Sequence, residues 1–535
     1  MRQLTAQRDA GLRVILVTGR CLEDLDRDFA DVVAAVEAVV AENGALLRID
    51  GEVEELQPPV STQVRDALGR AGITFRPGRV ILDCRADDAL AIAGILGDLG
   101  SDVQAIRNRG QLMLLPAGVT KASGLAAALH ALGISPHNTM AVGDAENDLA
   151  MLHLAEVAVA VANALPAVLE AADLVLPLEA GAGVQSLLTH PILTGEARMT
   201  IPRRDLRIGE TAAGQPVTVP AADANILITG ESGSGKSHLA GLLIERWLAA
   251  GYSALIIDLE GDYLGLDHLT NVVVLGGEEP PVAVELMALL RQAGVSAVVD
   301  LTGVAPQRMP DYLEHLADVI AAERAEWGLP HWIVLDEAQA FAGAVTALHR
   351  IIRPSDRGYC VITYRPQDLR RDLLHSVDIQ LTPLPSALSS PHEATIVSSD
   401  SPSRRFVMDP RRTRHVRHWH KYTTQALPED LWFTFTEPSG KVIGHASTIA
   451  EFVRGVRSVD AGVIWWHLSR GDFSRWLAIS LGDPDAAALA ATTERDAIAR
   501  HAADIHSARR RLLALIEDLY RLDPAPEADA EPEPA

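Results

Sequence analysis

Residues 224–247, ANILITGESGSGKSHLAGLLIERW, decide how the rest of the chain is read. Ile226 to Thr229 form an apolar, β-branched run of the kind that makes a strand buried on both faces. Gly230 to Ser237 then spell G-x-x-x-x-G-K-S, and from Ser237 onward Leu239, Leu242 and Leu243 recur at helical spacing. A strand, a glycine-rich turn and a helix in that order converge backbone N–H groups and a helix N-terminus on phosphate oxygens. Lys236 adds a point charge for the β and γ phosphates, and the Ser237 hydroxyl suits Mg2+. The expected nucleotide contacts are therefore Gly230, Glu231, Ser232, Gly233, Ser234, Gly235, Lys236, Ser237 and His238.

Such a loop needs a carboxylate partner, and HWIVLDEAQAF (331–341) supplies one: an apolar strand, Trp332 to Leu335, ends in Asp336 and Glu337. Asp336 is expected to hold the metal through water. Glu337 is expected to polarise the water that attacks the γ phosphate. ATP and Mg2+ are the cofactors this pairing implies.

Around this centre the chain of 535 residues is too long for one core. It is 48% hydrophobic but only 4% aromatic, which favours helix-rich α/β layers. Lys and Arg number 47 against 71 Asp and Glu, a formal charge of −24, which weighs against coating nucleic acid by bulk charge. Three scattered cysteines suit a reducing compartment. Without a membrane-length apolar run or a signal-peptide profile, a soluble, cytoplasmic protein that makes no membrane contact is expected.

Three blocks separate by pattern, giving an α/β multidomain chain. Residues 1–190 alternate short strands with Ala/Leu helices, interrupted by an inserted α+β module at about 50–115. Residues 206–395 alternate again around the phosphate loop. Residues 415–522 hold five of the eight tryptophans and long helices, a mostly helical accessory domain; His415, His418, His420, His445 and His467 there lack the paired spacing of a metal site. Residues 523–535 are acidic and proline-rich, with almost nothing to bury, and are expected to be disordered.

The second block resembles the RecA-like core of the HerA/FtsK superfamily of P-loop ATPases. The resemblance rests on IGETAAGQPVTVPAADANILITGESGSGKSH (208–238), ALIIDLEGDY (254–263), IVLDEAQAF (333–341) and GYCVITYRPQDL (358–369). It implies a homo-oligomer, a hexamer in that family, with DNA translocation as an alternative activity and an arginine reaching a neighbouring nucleotide. Arg353, Arg357 and Arg365 are the candidates. Tyr364 stands where the family carries a glutamine sensor, while Arg365 is retained.

In the first block, MAVGDAENDLAML (140–152) puts Asp144 and Asp148 four apart where a strand turns into a helix, a pair that can ligate a hard cation. With VTGR (17–20), ENGA (42–45), GVTKASGL (118–125) and AVANA (160–164), this resembles the haloacid dehalogenase (HAD) superfamily, in its Cof-like sugar phosphatase branch with an α/β cap. The resemblance implies a Rossmann-like fold in which Thr18 binds a phosphoryl group, Lys121 neutralises it and Asp144 ligates Mg2+, supported by Asn147 and Asp148. A phosphorylated sugar is the implied substrate. The family's nucleophile, in a D-x-D-G-T loop after the first strand, has no counterpart here: Arg2 to Ala10 already read as the following helix.

Either the start was assigned late or the site has decayed, and survival of Thr18, Lys121, Asp144 and Asp148 favours the first. As written the block is expected to be inert, with a sheet edge left open. HLSRGDFSRWL (467–477) resembles an uncharacterised bacterial domain and implies an accessory or sensing role. Three readings of function follow: an ATPase joined to a phosphatase domain, a sugar-phosphate phosphatase with a regulatory P-loop domain, or an assembly that ATP merely orders.

Overall fold

The computed structural model describes residues 2–520 apart from 109, 232–233, 293, 306, 340–350, 354, 385–391, 399–400, 414–426, 428, 482 and 500–504. The chain forms two compact units: residues 1–205 with 291–293 and 325–328, and residues 206–290, 294–324 and 329–535.

In the first unit β1 (Ile15–Val17) runs parallel to β2 (Ala38–Ala41), and β3 (Leu46–Ile49) and β4 (Glu52–Glu55) follow antiparallel. The expected inserted module starts later than residue 50. Asp50 and Gly51 both take positive φ, 51° and 85°, and make a two-residue turn that folds β4 back onto β3. The insertion proper is an antiparallel sheet in the order β5 (Phe75–Pro77), β6 (Leu82–Arg85), β8 (Gln111–Leu115), β7 (Gln104–Asn108). Helices Thr62–Arg70 and Ala89–Asp98 contribute Val64, Leu68, Ile92 and Leu96 to its core. The chain then returns through α1 (Lys121–Ala131) to three parallel strands, β9 (Met140–Gly143), β10 (Val157–Ala160) and β11 (Leu174–Val175). Among the described residues the main sheet is thus in two pieces: β1 pairs only with β2, and β9 only with β10.

The second unit is built on strands β12 (Leu206–Glu210), β13 (Pro216–Val219), β14 (Asn225–Thr229), β15 (Ala254–Asp258), β16 (Val272–Gly276), β17 (Ser296–Asp300), β18 (Trp332–Leu335), β19 (Tyr359–Thr363), β20 (Ile379–Pro383), β21 (Glu393–Ser398) and β22 (Ser401–Met408). They join in one sheet, ordered 13-12-22-21-20-14-19-18-15-17-16. The run from β20 to β16 is parallel throughout, and its central strands are buried on both faces, which is why they read as continuous apolar runs. The four strands beyond β20 are antiparallel additions.

The third block has its own core, around Phe433, Phe452, Phe473 and Trp476. It is not wholly helical. A hairpin of β23 (Phe433–Thr436) and β24 (Val442–Ala446) precedes the helices. His415, His418, His420, Trp419 and the acidic tail lie outside the described residues.

Candidate functional site

β14 delivers the chain to Gly230 at the end of the parallel sheet where strands lead into helices. Gly235, at φ 102°, closes the turn and caps α2 (Lys236–Ala249). A Cβ at Gly230 would meet the Ser234 Oγ at 2.5 Å, so the loop folds closely over this position. Ser232 and Gly233 lie outside the described residues. Lys236 is buried, donates from Nζ to the Glu231 carbonyl at 3.1 Å, and lies 5.9 Å from the ring centroid of Tyr364. In this arrangement the lysine occupies the loop's own carbonyl and an aromatic face, both of which a phosphate oxygen would outcompete. His238 packs against His392 with ring centroids 4.5 Å apart. Burial, then the nearby His392 and Arg411 charges, push its pKa down to about 3, so it brings no positive charge to the loop.

The partner strand β18 is held to the same helix by packing. Trp332 stacks on Trp247 of α2 at 3.9 Å between centroids and donates its indole N–H to the Ala221 carbonyl at 2.8 Å. Asp336 follows, almost wholly buried, and accepts the Glu337 N–H at 2.8 Å. Burial, and then the Asp262, Asp258 and Glu337 carboxylates, push Asp336 well above the ordinary carboxylate range. Burial also raises Glu337, against a hydrogen bond from Gln339 and the nearby charge of Lys236.

Sequence reasoning missed the relay behind Glu337. The Thr363 hydroxyl, at the end of β19, donates to Gln339 Oε1 at 2.5 Å, and the Gln339 amide donates to Glu337. The signal was present, since β19 lies between β14 and β18 and Gln339 follows the acidic pair by two residues. Of the three arginine candidates, Arg353 is exposed, Arg357 pairs with Asp378 at 3.1 Å, and Arg365 lies half exposed over the Tyr364 ring at 5.0 Å.

A second constellation forms in the first unit, where four distant stretches meet. Thr18 accepts the Asn43 N–H on its carbonyl at 2.9 Å, and the Asn43 side chain accepts from Asn147 at 3.0 Å. Lys121 Nζ is 2.5 Å from Asp148 Oδ1, while Asp148 Oδ2 takes the N–H groups of Asp144 and Ala145 at 2.9 and 3.0 Å. Both oxygens of Asp148 are thereby engaged, and the carboxylate fixes the lysine and the Asp144 loop together. Close approach is enforced by glycine: a Cβ on Gly44 would fall 1.9 Å from the Thr120 carbonyl, and one on Gly143 would fall 2.6 Å from Asp148.

Comparison with known proteins bears on this unit first. Over part of its length the chain is similar to phosphoglycolate phosphatases. The relative from Halorubrum lacusprofundi is 33% identical over 175 residues, covering 30% of this chain and 76% of that protein. A phosphoglycolate phosphatase from Methanothermobacter thermautotrophicus is 32% identical over 191 residues, 34% of this chain and 85% of its own. A family model described as haloacid dehalogenase-like hydrolase matches residues 92–188. The chain belongs to the haloacid dehalogenase-like hydrolases.

A second family model, described as Helicase HerA, central domain, matches residues 207–324. Among solved structures, a haloacid dehalogenase-like hydrolase from Bacteroides thetaiotaomicron aligns at 16% identity over 35% of this chain and 90% of that one, with a TM-score of 0.31, too low to bear on the fold. Asn163 accepts the Ala180 N–H at 3.0 Å, at the start of the helix Ala180–Leu187. Among the described residues no cluster of three or more His, Cys, Asp or Glu is arranged to hold a metal ion by itself, and no helix is long and apolar enough to cross a membrane.

Proposed function

We propose that the chain is a Mg2+-dependent ATP hydrolase whose catalytic centre is the loop 230–237 with Asp336 and Glu337. The observation that carries this reading is the convergence of a buried lysine, a helix N-terminus and two carboxylates of raised pKa at the ends of the parallel strands β14 and β18, which flank β19. Mg2+ keeps several waters and takes phosphate oxygens, so one hydroxyl and one carboxylate suffice as protein donors. Ser237 and Asp336 fit that role, since a buried carboxylate crowded by others is the charge a divalent cation relieves. Bound there, the ion would neutralise charge on the phosphates.

The chain's own residues do the rest. Backbone N–H groups of 230–238 hold the phosphates, and Lys236 moves from the Glu231 carbonyl onto them. Glu337 orients the attacking water and takes its proton, with Gln339 reporting the position of Thr363. Arg365, half exposed at the same edge, suits a phosphate contact in its own or a neighbouring copy. A homo-oligomer is proposed with it.

In the first unit Thr18, Lys121 and Asp144 are proposed to bind a phosphoryl group and Mg2+, with Asp148 positioning Lys121. The relatives' name and the inserted module favour a small phosphate ester, a phosphorylated sugar or phosphoglycolate, as ligand. Hydrolysis there needs a nucleophile beside Thr18. The test of the main reading is phosphate release from ATP with Mg2+: turnover abolished in Lys236→Ala supports it, and turnover unchanged in that variant overturns it.

A further inference from the structure

The helical block carries a cleft that the ATPase and phosphatase readings leave unused. Helices α3 (Ala461–Arg470) and α4 (Asp472–Ile479) meet at Gly471, whose left-handed φ of 67° turns one directly into the other. Against the hairpin β23–β24 they leave a depression of about 390 Å³ walled by Trp432 and Trp466. At its base His467 accepts the Thr436 N–H on Nε2 at 3.0 Å, so its proton sits on Nδ1, which donates to Asp472 at 2.9 Å. Asp472 also pairs with Arg470 at 3.4 Å and Arg475 at 3.1 Å. Two guanidiniums thus share one carboxylate, and both are about half exposed, with Arg470 lying over Trp466 at 4.9 Å. In a chain of formal charge −24 this is a local positive rim on an aromatic wall.

A second depression of about 490 Å³ continues past Arg475 and Ile479, which belong to both, onto the alanines of α5 (Pro484–Ala499). Ile479 is 59% exposed there. The trough therefore offers stacking faces, an apolar floor and surplus positive charge in a row. Extended proline-rich segments dock on aromatic-lined grooves because their backbone is already ordered and their rings pack flat on indoles. Acidic residues on such a segment would meet Arg470 and Arg475.

We infer that the trough Trp432–Trp466–Arg470–Arg475–Ile479 binds the chain's own residues 521–535. That segment, RLDPAPEADAEPEPA, holds four prolines and five carboxylates against one arginine. It leaves the described fold at the foot of the trough. Tyr520 donates its hydroxyl to Asp483 at 2.9 Å, and Asp483 caps α5 through the Ala486 N–H at 2.8 Å, next to the alanines that line the second depression. At roughly 3.1 Å per residue in the extended proline helix, fifteen residues can run from there past both arginines. Tethering keeps the local concentration high, so modest contacts are enough. This inference is independent of nucleotide chemistry at the loop 230–237.

The test places a nitroxide on Ala530→Cys in the full chain, where Cys21, Cys84 and Cys360 are all buried, and reads fluorotryptophan NMR lines assigned with Trp432→Phe and Trp466→Phe. Docking broadens the Trp432 and Trp466 lines and spares Trp247 and Trp332, which are buried in the other core. The broadening is lost in Arg470→Glu/Arg475→Glu. It is also lost when Asp523, Glu527, Asp529, Glu531 and Glu533 are changed to their amides, a variant that leaves the cleft itself untouched, and when excess free peptide of sequence 521–535 is added. Lines that stay sharp in the parent chain, broadening that survives neutralisation of the tail, or broadening that arises only between separate copies overturns it.

Discussion

Glu337 takes a backbone φ of 48°, a region that non-glycine residues enter at a cost, directly after the buried Asp336. The turn aims its carboxylate back toward Lys236 while the Gln339 amide holds it from the other side. Replacing Glu337 by Gln keeps the side chain's size and that backbone turn but removes the proton acceptor. The expected result is near-parental ATP binding, read with a fluorescent nucleotide, and a loss of turnover of about 10²-fold or more. Equal loss of binding and turnover would instead make Glu337 a structural residue. Lys236→Ala differs in kind, because it removes charge that the bound phosphates need in every state.

Helix α2 carries more than the loop at its start. On its inner face Glu245 is buried and gathers the Arg411 guanidinium at 3.1 Å and the N–H groups of Arg412 and Thr413 at 2.6 and 3.0 Å, strapping residues 411–413 across the helix. Burial raises the Glu245 pKa, but the hydrogen bonds from Thr413 and the backbone, with the Arg411 charge, overcome it and hold the group below its ordinary 4.5. The pair therefore adds stability above pH 4.5 that is lost as pH falls through the lowered native value. Arg411→Ala should cost about 3–5 kcal/mol near pH 7, with the difference from the parent shrinking at lower pH, as urea unfolding at both ends would measure. None of this was legible in the sequence, because Glu245 and Arg411 are distant in the chain and neither has a local signature. The loop 230–237 and the strand before Asp336 were legible for the opposite reason, the first being a continuous strand–turn–helix pattern and the second an apolar run that ends in two carboxylates. Asp50-Gly51 lies between: a two-residue hairpin signal was present in the sequence, yet the boundary of the inserted module was drawn through it. The local pairs β12–β13 and β21–β22 are tied into the sheet by the long-range pairing of β12 with β22, which periodicity does not encode.

At the scale of the whole chain, separate cores surround the strands β1–β4, the inserted module, β9–β11, the eleven-stranded sheet and the helical block, distributed over two compact units. Units with their own cores are expected to unfold in more than one step rather than in a single cooperative transition. A ligand stabilises only the part that binds it, by about 2.7 kcal/mol when present at a hundred times its dissociation constant. ATP with Mg2+ should therefore raise the midpoint of one transition, followed by the stacked Trp247 and Trp332. A small phosphate ester with Mg2+ should raise another that those tryptophans do not follow, if Thr18, Lys121 and Asp144 bind a phosphoryl group. The two outcomes separate cleanly. A nucleotide-dependent shift alone would mark the haloacid dehalogenase-like part as a scaffold in this chain, while shifts by both ligands would mean that it recognises phosphate esters.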